Sequence, residues 1–166
     1  LTEGLELTAE LDWEVNLELK PIEGDEGNKE RLPKTLVNRV VSLVEETGLE
    51  AGVVISSFDH SLVKLAKEKN PEIRGAILVK ELDPEDIESL RVNKGDYYNV
   101  SGKGMLEGVR GMDSLRDLKE SEVDFGINIW TVNEPEDLRK LVEGPYVDGI
   151  ITDFPARLAA IVGEQL

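Results

Sequence analysis

Short β-rich runs separated by longer amphipathic segments set the strongest limit on what this chain can fold into. The runs are Trp13 to Leu19, Gly52 to Ser56, Gly75 to Val79, Asp96 to Val100, Gly126 to Val132 and Val147 to Thr152. Between them Leu36, Val40, Val41, Leu43 and Val44 recur at helical spacing, as do Leu62, Val63, Leu65 and Ala66, and later Leu115 with Leu118. Such alternation is satisfied by parallel strands joined through right-handed crossovers. Six strands suffice for an open doubly wound sheet and fall two short of a closed (β/α)8 barrel, so the pattern by itself leaves both open.

Helix ends are marked by residues with a mechanism. Asp83 before Pro84 and Asn133 shortly before Pro135 predict helix starts, each with a capping side chain beside a proline whose missing N–H costs nothing there. The acidic pairs Glu85/Asp86 and Glu136/Asp137 suit the positive end of a helix. Stops are predicted at Asn70-Pro71 and at Gly48. Leu1 to Leu11, with Leu5, Leu7 and Leu11, reads as the tail of another helix. No repeat or linker divides the 166 residues, which are expected to form one domain over residues 1–166 with a single core.

Charge and composition remove several functions. With 19 basic and 35 acidic side chains the net charge is −16, which would repel a phosphate backbone, so no nucleic-acid partner is expected. A 40% hydrophobic content in short clusters is too apolar for a disordered acidic tail. The absence of cysteine excludes disulfides, a thiolate nucleophile and sulfur-bound metal, and His60 alone excludes a His-rich site. No apolar stretch approaches the roughly 20 residues of a membrane span. The start of the chain has no basic lead and no apolar core of a signal peptide, which points to the cytoplasm, and it has no starting Met, so it reads as beginning mid-protein.

The first run is the most informative about chemistry. Val15, Leu17 and Leu19 alternate with Asn16, Glu18 and Lys20, so one face is wholly polar. Parallel strands are normally covered on both faces. In a barrel the apolar set would pack under helices and the polar set would face the lumen, with Glu18 and Lys20 near the C-terminal mouth. A carboxylate and an ammonium there resemble a hard-cation ligand beside a phosphate clamp; a structural ion pair or an exposed edge accounts for the strand pattern equally well. Trp130, at the end of a second alternating run, is either a ligand wall or a core residue. Asp153 reads first as the cap of a helix opening at Phe154-Pro155. Ser56, Ser57, Asp59 and His60 supply the members of a hydrolytic triad, but sequence neighbours cannot converge that way. A helix start capped by Asp59 or Ser57, with His60 exposed, is expected instead.

Taken together, NLELKP at Asn16 to Pro21, VVISSFDHSLVKLAKEKNPEIRGAIL at Val53 to Leu78, INIWTVNEPEDLRKLVE at Ile127 to Glu143 and VDGIITDFPARL at Val147 to Leu158 resemble the glycerophosphodiester phosphodiesterase family, in the family's order. The resemblance selects the barrel. It implies an α/β fold, an incomplete (βα)8 TIM barrel of the PLC-like phosphodiesterase type with about six parallel strands and helices outside. It also implies hydrolysis of a glycerophosphodiester to glycerol 3-phosphate and an alcohol, using calcium or magnesium. Carried over by motif, Glu18 is a metal ligand, Lys20 lies near the phosphate and Trp130 lines the pocket.

The departures from that family are equally specific. Its catalytic histidines belong to an HRG and an HD motif, which together with the remaining carboxylate ligands are absent here, and His60 sits in the wrong segment to replace them. By that resemblance the chain is expected to start in the helix before the third barrel strand, without about a quarter of a typical ~250-residue barrel on the N-terminal side. A barrel so opened would bare two sheet edges and an apolar lining, for which an N-terminal segment, self-association or a rearranged open sheet is the expected remedy. Glu18 alone would hold a dication weakly or not at all, and without acid and base groups little hydrolysis is expected of this chain. The alternative is a noncatalytic remnant that binds a phosphorylated ligand or a protein.

Overall fold

The computed structural model describes residues 1–20, 31–81, 85–106, 115–117, 119–120 and 124–163. In chain order these hold α1 (Thr2–Glu10), β1 (Val15–Glu18), α2 (Arg31–Thr47), β2 (Val53–Ser57), α3 (His60–Lys69), β3 (Arg74–Val79), α4 (Glu85–Val92), β4 (Tyr97–Ser101), α5 (Gly102–Leu106), β5 (Gly126–Trp130), α6 (Pro135–Glu143), β6 (Gly149–Ile150) and α7 (Pro155–Gly163). They fall into two compact units, Leu1–Leu78 with Ser89–Asp96 and Val79–Glu88 with Tyr97–Leu166. In the first, β1, β2 and β3 pair in parallel in chain order. In the second, β4, β5 and β6 do the same. The six parallel strands with helical crossovers are the α/β arrangement that the alternation predicts.

The strands are shorter than the apolar runs, because a ladder ends where the backbone finds another partner. Trp13 is 65% exposed and its N–H closes the end of α1 on the Thr8 carbonyl, so β1 starts at Val15. Beyond β5 the Trp130–Thr131 peptide is cis, and the Val132 N–H bonds the Ile151 carbonyl. Of the three leucines read as helical near the start, only Leu5 is buried; Leu7 and Leu11 face solvent.

The core of the first unit follows from helical spacing. Val37, Val40, Val41 and Val44 form one stripe of α2 and pack with Leu5, Leu62, Ala66 and the strand residues Val53 and Ile55. Val15 and Leu17 lie against this cluster. Gly48 takes φ +67, letting its own N–H reach Glu45 O and the Leu49 N–H reach Val44 O, so α2 stops at Thr47 as predicted. Asp59 caps α3 by accepting from the Ser61 N–H, and Asn70 ends it. At Gly75 a side chain would place Cβ 2.6 Å from Val63 Cγ1, because α3 lies directly on β3. Val63 is buried and cannot swing away, so Gly75→Ala is expected to cost about 1–3 kcal/mol, checked by denaturant unfolding.

A second device, which sequence reading does not reveal, ties two of the crossovers, β3 to β4 and β5 to β6, at the start of their strands. The Gly75 N–H donates to Asp96 Oδ2 at 2.6 Å, the Asp96 N–H returns to the Gly75 carbonyl at 2.7 Å, and Lys67 of α3 holds the same carboxylate at 2.9 Å. Further along, the Ile127 N–H donates to Asp148 Oδ2 at 2.7 Å, the Asp148 N–H returns to the Ile127 carbonyl at 2.8 Å, and Lys119 holds that carboxylate at 2.7 Å. In both, the amide and the aspartate are 21 residues apart. The chain shows no repeat in its letters, yet its structure repeats this tie. The proposed cap Asp83 lies outside the described residues, as do Glu23 to Glu30.

Candidate functional site

Glu18 and Lys20 are positioned by the pleat of β1. Val15 and Leu17 face the helix-covered cluster and Leu19 is buried, so Asn16, Glu18 and Lys20 emerge on the opposite, exposed side. The C-terminal end of β1 is fixed by the Leu19 N–H bonding Ser56 O at 2.8 Å and by the Ser57 hydroxyl donating to Leu19 O at 2.7 Å. Lys20 Nζ meets Glu18 Oε1 at 2.6 Å. Their alternation with buried neighbours brings together the two residues that sequence reading paired.

In the sequence Ser56 enters only as a member of the rejected triad. It stands opposite Glu18 in the β1–β2 register and therefore on the same face. Its hydroxyl is buried and has no hydrogen-bond partner among the described residues. The available signal was its place in Val53 to Ser57: Ser56 and Ser57 alternate in direction, and only Ser57 has backbone groups to serve, accepting also from the Asp59 N–H at 3.0 Å. Ser57 and Asp59 are thus engaged in local bonds, and no triad forms.

His60 corrects an expectation. It is half-buried rather than exposed, with Nδ1 2.7 Å from Ser89 Oγ and Nε2 3.1 Å from the Leu78 carbonyl. A carbonyl only accepts, so Nε2 carries a proton and donates it to Leu78 O, while Nδ1 pairs with the serine hydroxyl. The imidazole fastens α3 to β3 and α4.

In the second unit Trp130 closes β5 opposite Ser101 and donates its indole N–H to Asn99 O at 2.9 Å. Asn128, two residues earlier on the same face, donates to Asn99 Oδ1 at 2.9 Å. Asn133 is the second correction. Glu134 occupies the N-cap of α6 without a side-chain cap bond, while the Asn133 amide accepts from Thr152 Oγ1 and the Asp153 N–H and donates to Asp153 Oδ2 at 2.8 Å. Asn133 therefore brackets the loop after β6, and Asp153 Oδ2 serves that bracket. The Phe154 N–H at the start of α7 goes to Thr152 Oγ1.

As a metal centre, the Glu18 face offers one hard oxygen donor. Among the described residues no group of three or more His, Asp or Glu side chains converges. These residues do not by themselves fit a dication, which takes six or more oxygens as calcium or an octahedral set as magnesium. Among the described residues no helix is long and apolar enough to cross a membrane.

Comparison with known proteins now gives this geometry a setting. The chain is 28% identical over 170 residues to a glycerophosphodiester phosphodiesterase of Caldanaerobacter subterraneus, covering 98% of this chain and 60% of that one. It is 26% identical over 167 residues to the protein YqiK of Bacillus subtilis, covering 99% and 63%. It shares its fold with a phosphodiesterase from Oleispira antarctica solved in complex with the product sn-glycerol-3-phosphate: TM-score 0.82 at 20% identity, over 98% of this chain and 60% of that one. That likeness favours the barrel class over the open sheet. The chain thus spans under two thirds of the length of the curated relatives it matches. The model of the glycerophosphoryl diester phosphodiesterase family matches residues 1–157, nearly the whole chain, and the chain belongs to that family.

Proposed function

We propose that this chain carries the Glu18–Lys20 part of a phosphodiester-hydrolysing site whose substrate is a glycerophosphodiester and whose products are glycerol 3-phosphate and an alcohol. The observation that carries the reading is the pair itself: a carboxylate and an ammonium 2.6 Å apart on the exposed face at the C-terminal end of β1. Support for the substrate class comes from the name of the Caldanaerobacter relative and from the product held by the Oleispira protein.

In this reading Glu18 is one oxygen ligand of a divalent cation in a complete site, where the cation would offset phosphate charge. Lys20 swings from Glu18 to a phosphate oxygen and stabilises the charge that builds as water attacks phosphorus and the ester P–O bond breaks. Trp130 supplies an apolar wall for the glycerol or alcohol portion. Two proton transfers remain, from the attacking water and to the departing alkoxide, and both need a positioned acid or base. His60 is committed to Ser89 and Leu78, and no other histidine exists in the chain. The chain alone is therefore proposed to be inactive and to bind calcium or magnesium weakly or not at all.

The test is turnover of a glycerophosphodiester with calcium or magnesium, comparing this chain with a chimera that adds the part of the Caldanaerobacter relative lying outside the matched stretch. Turnover by the chimera alone is expected. Turnover by the short chain overturns the assignment of missing acid and base groups. Phosphate-ester binding by both forms without turnover supports the noncatalytic reading instead.

A further inference from the structure

Within the first unit Ser56 carries a penalty that its surroundings do not offset. The residue is wholly buried, and its hydroxyl has no hydrogen-bond partner among the described residues. A buried hydroxyl in that state destabilises a chain relative to an apolar side chain of the same shape. The packing of the row does not call for it: on the β3 flank Ser56 stands opposite Ala76, which is buried on the same face. On the β1 flank it stands opposite Glu18. Neighbouring strands lie about 4.8 Å apart, within reach of a glutamate side chain that turns across the ladder. As the structure stands, Glu18 Oε1 instead meets Lys20 Nζ at 2.6 Å. The Lys20 side chain is 76% exposed and can turn to a ligand without disturbing the core, whereas Ser56 is held on a buried strand.

We infer that Ser56 is a positioning residue for Glu18: when the Lys20 ammonium leaves for a phosphate oxygen, the Ser56 hydroxyl donates to the carboxylate and keeps it in place. The two donors serve Glu18 in turn. A carboxylate is an acceptor with several lone pairs, and a serine hydroxyl supplies one O–H while keeping its proton. Beside a buried wall, a carboxylate that loses its cation needs another donor, and Ser56 is the unused donor next to it in the ladder. This role rests on the movement of Lys20 proposed above and concerns the support of the carboxylate, with no bond made or broken.

The test is a stability cycle on this chain alone, read by calorimetry. Lys20→Met removes the ammonium at an exposed position and reproduces the state in which the carboxylate is released. In the parent, Ser56→Ala is expected to leave the thermal midpoint unchanged or to raise it. In the Lys20→Met chain the same substitution is expected to lower it by about 2–4 °C, the loss of one hydrogen bond in a chain of this size. The carboxyl carbon resonance of Glu18 should shift on Ser56→Ala in the Lys20→Met chain and stay in place in the parent. Adding Glu18→Ala to the Lys20→Met chain should abolish the effect of Ser56→Ala. A merely structural serine gives the same midpoint change in both backgrounds and leaves the resonance unmoved. Either of those results, or an effect that survives Glu18→Ala, overturns the inference. None of these readouts needs turnover, so an inactive chimera strikes the proposed reaction, while an uncoupled cycle strikes the role of Ser56.

Discussion

Asp96→Ala is expected to lower the thermal midpoint by about 5–10 °C, and Asp148→Ala by a similar amount. Each aspartate accepts a short bond from a strand-initiating N–H while paired with a lysine. Bonds of this charge-assisted kind contribute roughly 1.5–3 kcal/mol, and removing the acceptor strands an amide at the mouth of a strand. For a chain of this size each kcal/mol corresponds to about 2–4 °C. Asn in place of Asp keeps an acceptor for the amide and loses the ion pair, so Asp96→Asn and Asp148→Asn should each cost less than half as much as the corresponding Ala variant. Calorimetry on the four variants checks this. If Ala and Asn are equally damaging, the lysine contact rather than the amide contact carries the effect; if all four are neutral, the ties contribute nothing to stability.

Glu18→Ala in the chimera is expected to reduce kcat/KM by about 10²–10³-fold, and Lys20→Ala by on the order of 10². The two outcomes separate the site from an ordinary surface pair. Lys20 is 76% exposed along its side chain, and an exposed ion pair contributes about 0–1 kcal/mol to stability. A purely structural pair would therefore leave activity intact and stability nearly so. Full activity of Glu18→Ala at saturating magnesium or calcium defeats the ligand assignment.

What could be read in advance divides by the range of the interactions. The polar face of β1 was legible because period-two alternation is local: Val15 and Leu17 find the helix-covered side and Glu18 the other. The stops at Gly48 and Asn70 were legible for the same reason. The ties were not, since Lys67 and Asp96 lie 29 residues apart and each alone looks like a solvated charge. Asn133 was misjudged by proximity: it stood near Pro135, while its bonds go to Thr152 and Asp153 across the sheet. His60 was judged by the composition around it, and its burial depends on Ser89 of a helix two elements on. Ser56 was weighed only as a triad member: its place in the strand gives the face it shares with Glu18, but not whether its hydroxyl will find a partner.

The lysine–aspartate ties also bear on how the molecule comes together. Each closes a short loop, 29 residues in the first case, so the entropy lost in making it is modest. Contacts of such low sequence separation form early and speed assembly. On a ribosome the first fastening can be completed while later strands are still being synthesised, and the second follows in turn. The two fastenings suit the architecture to stepwise growth from one end, the β3–β4 crossover secured before the β5–β6 crossover is added.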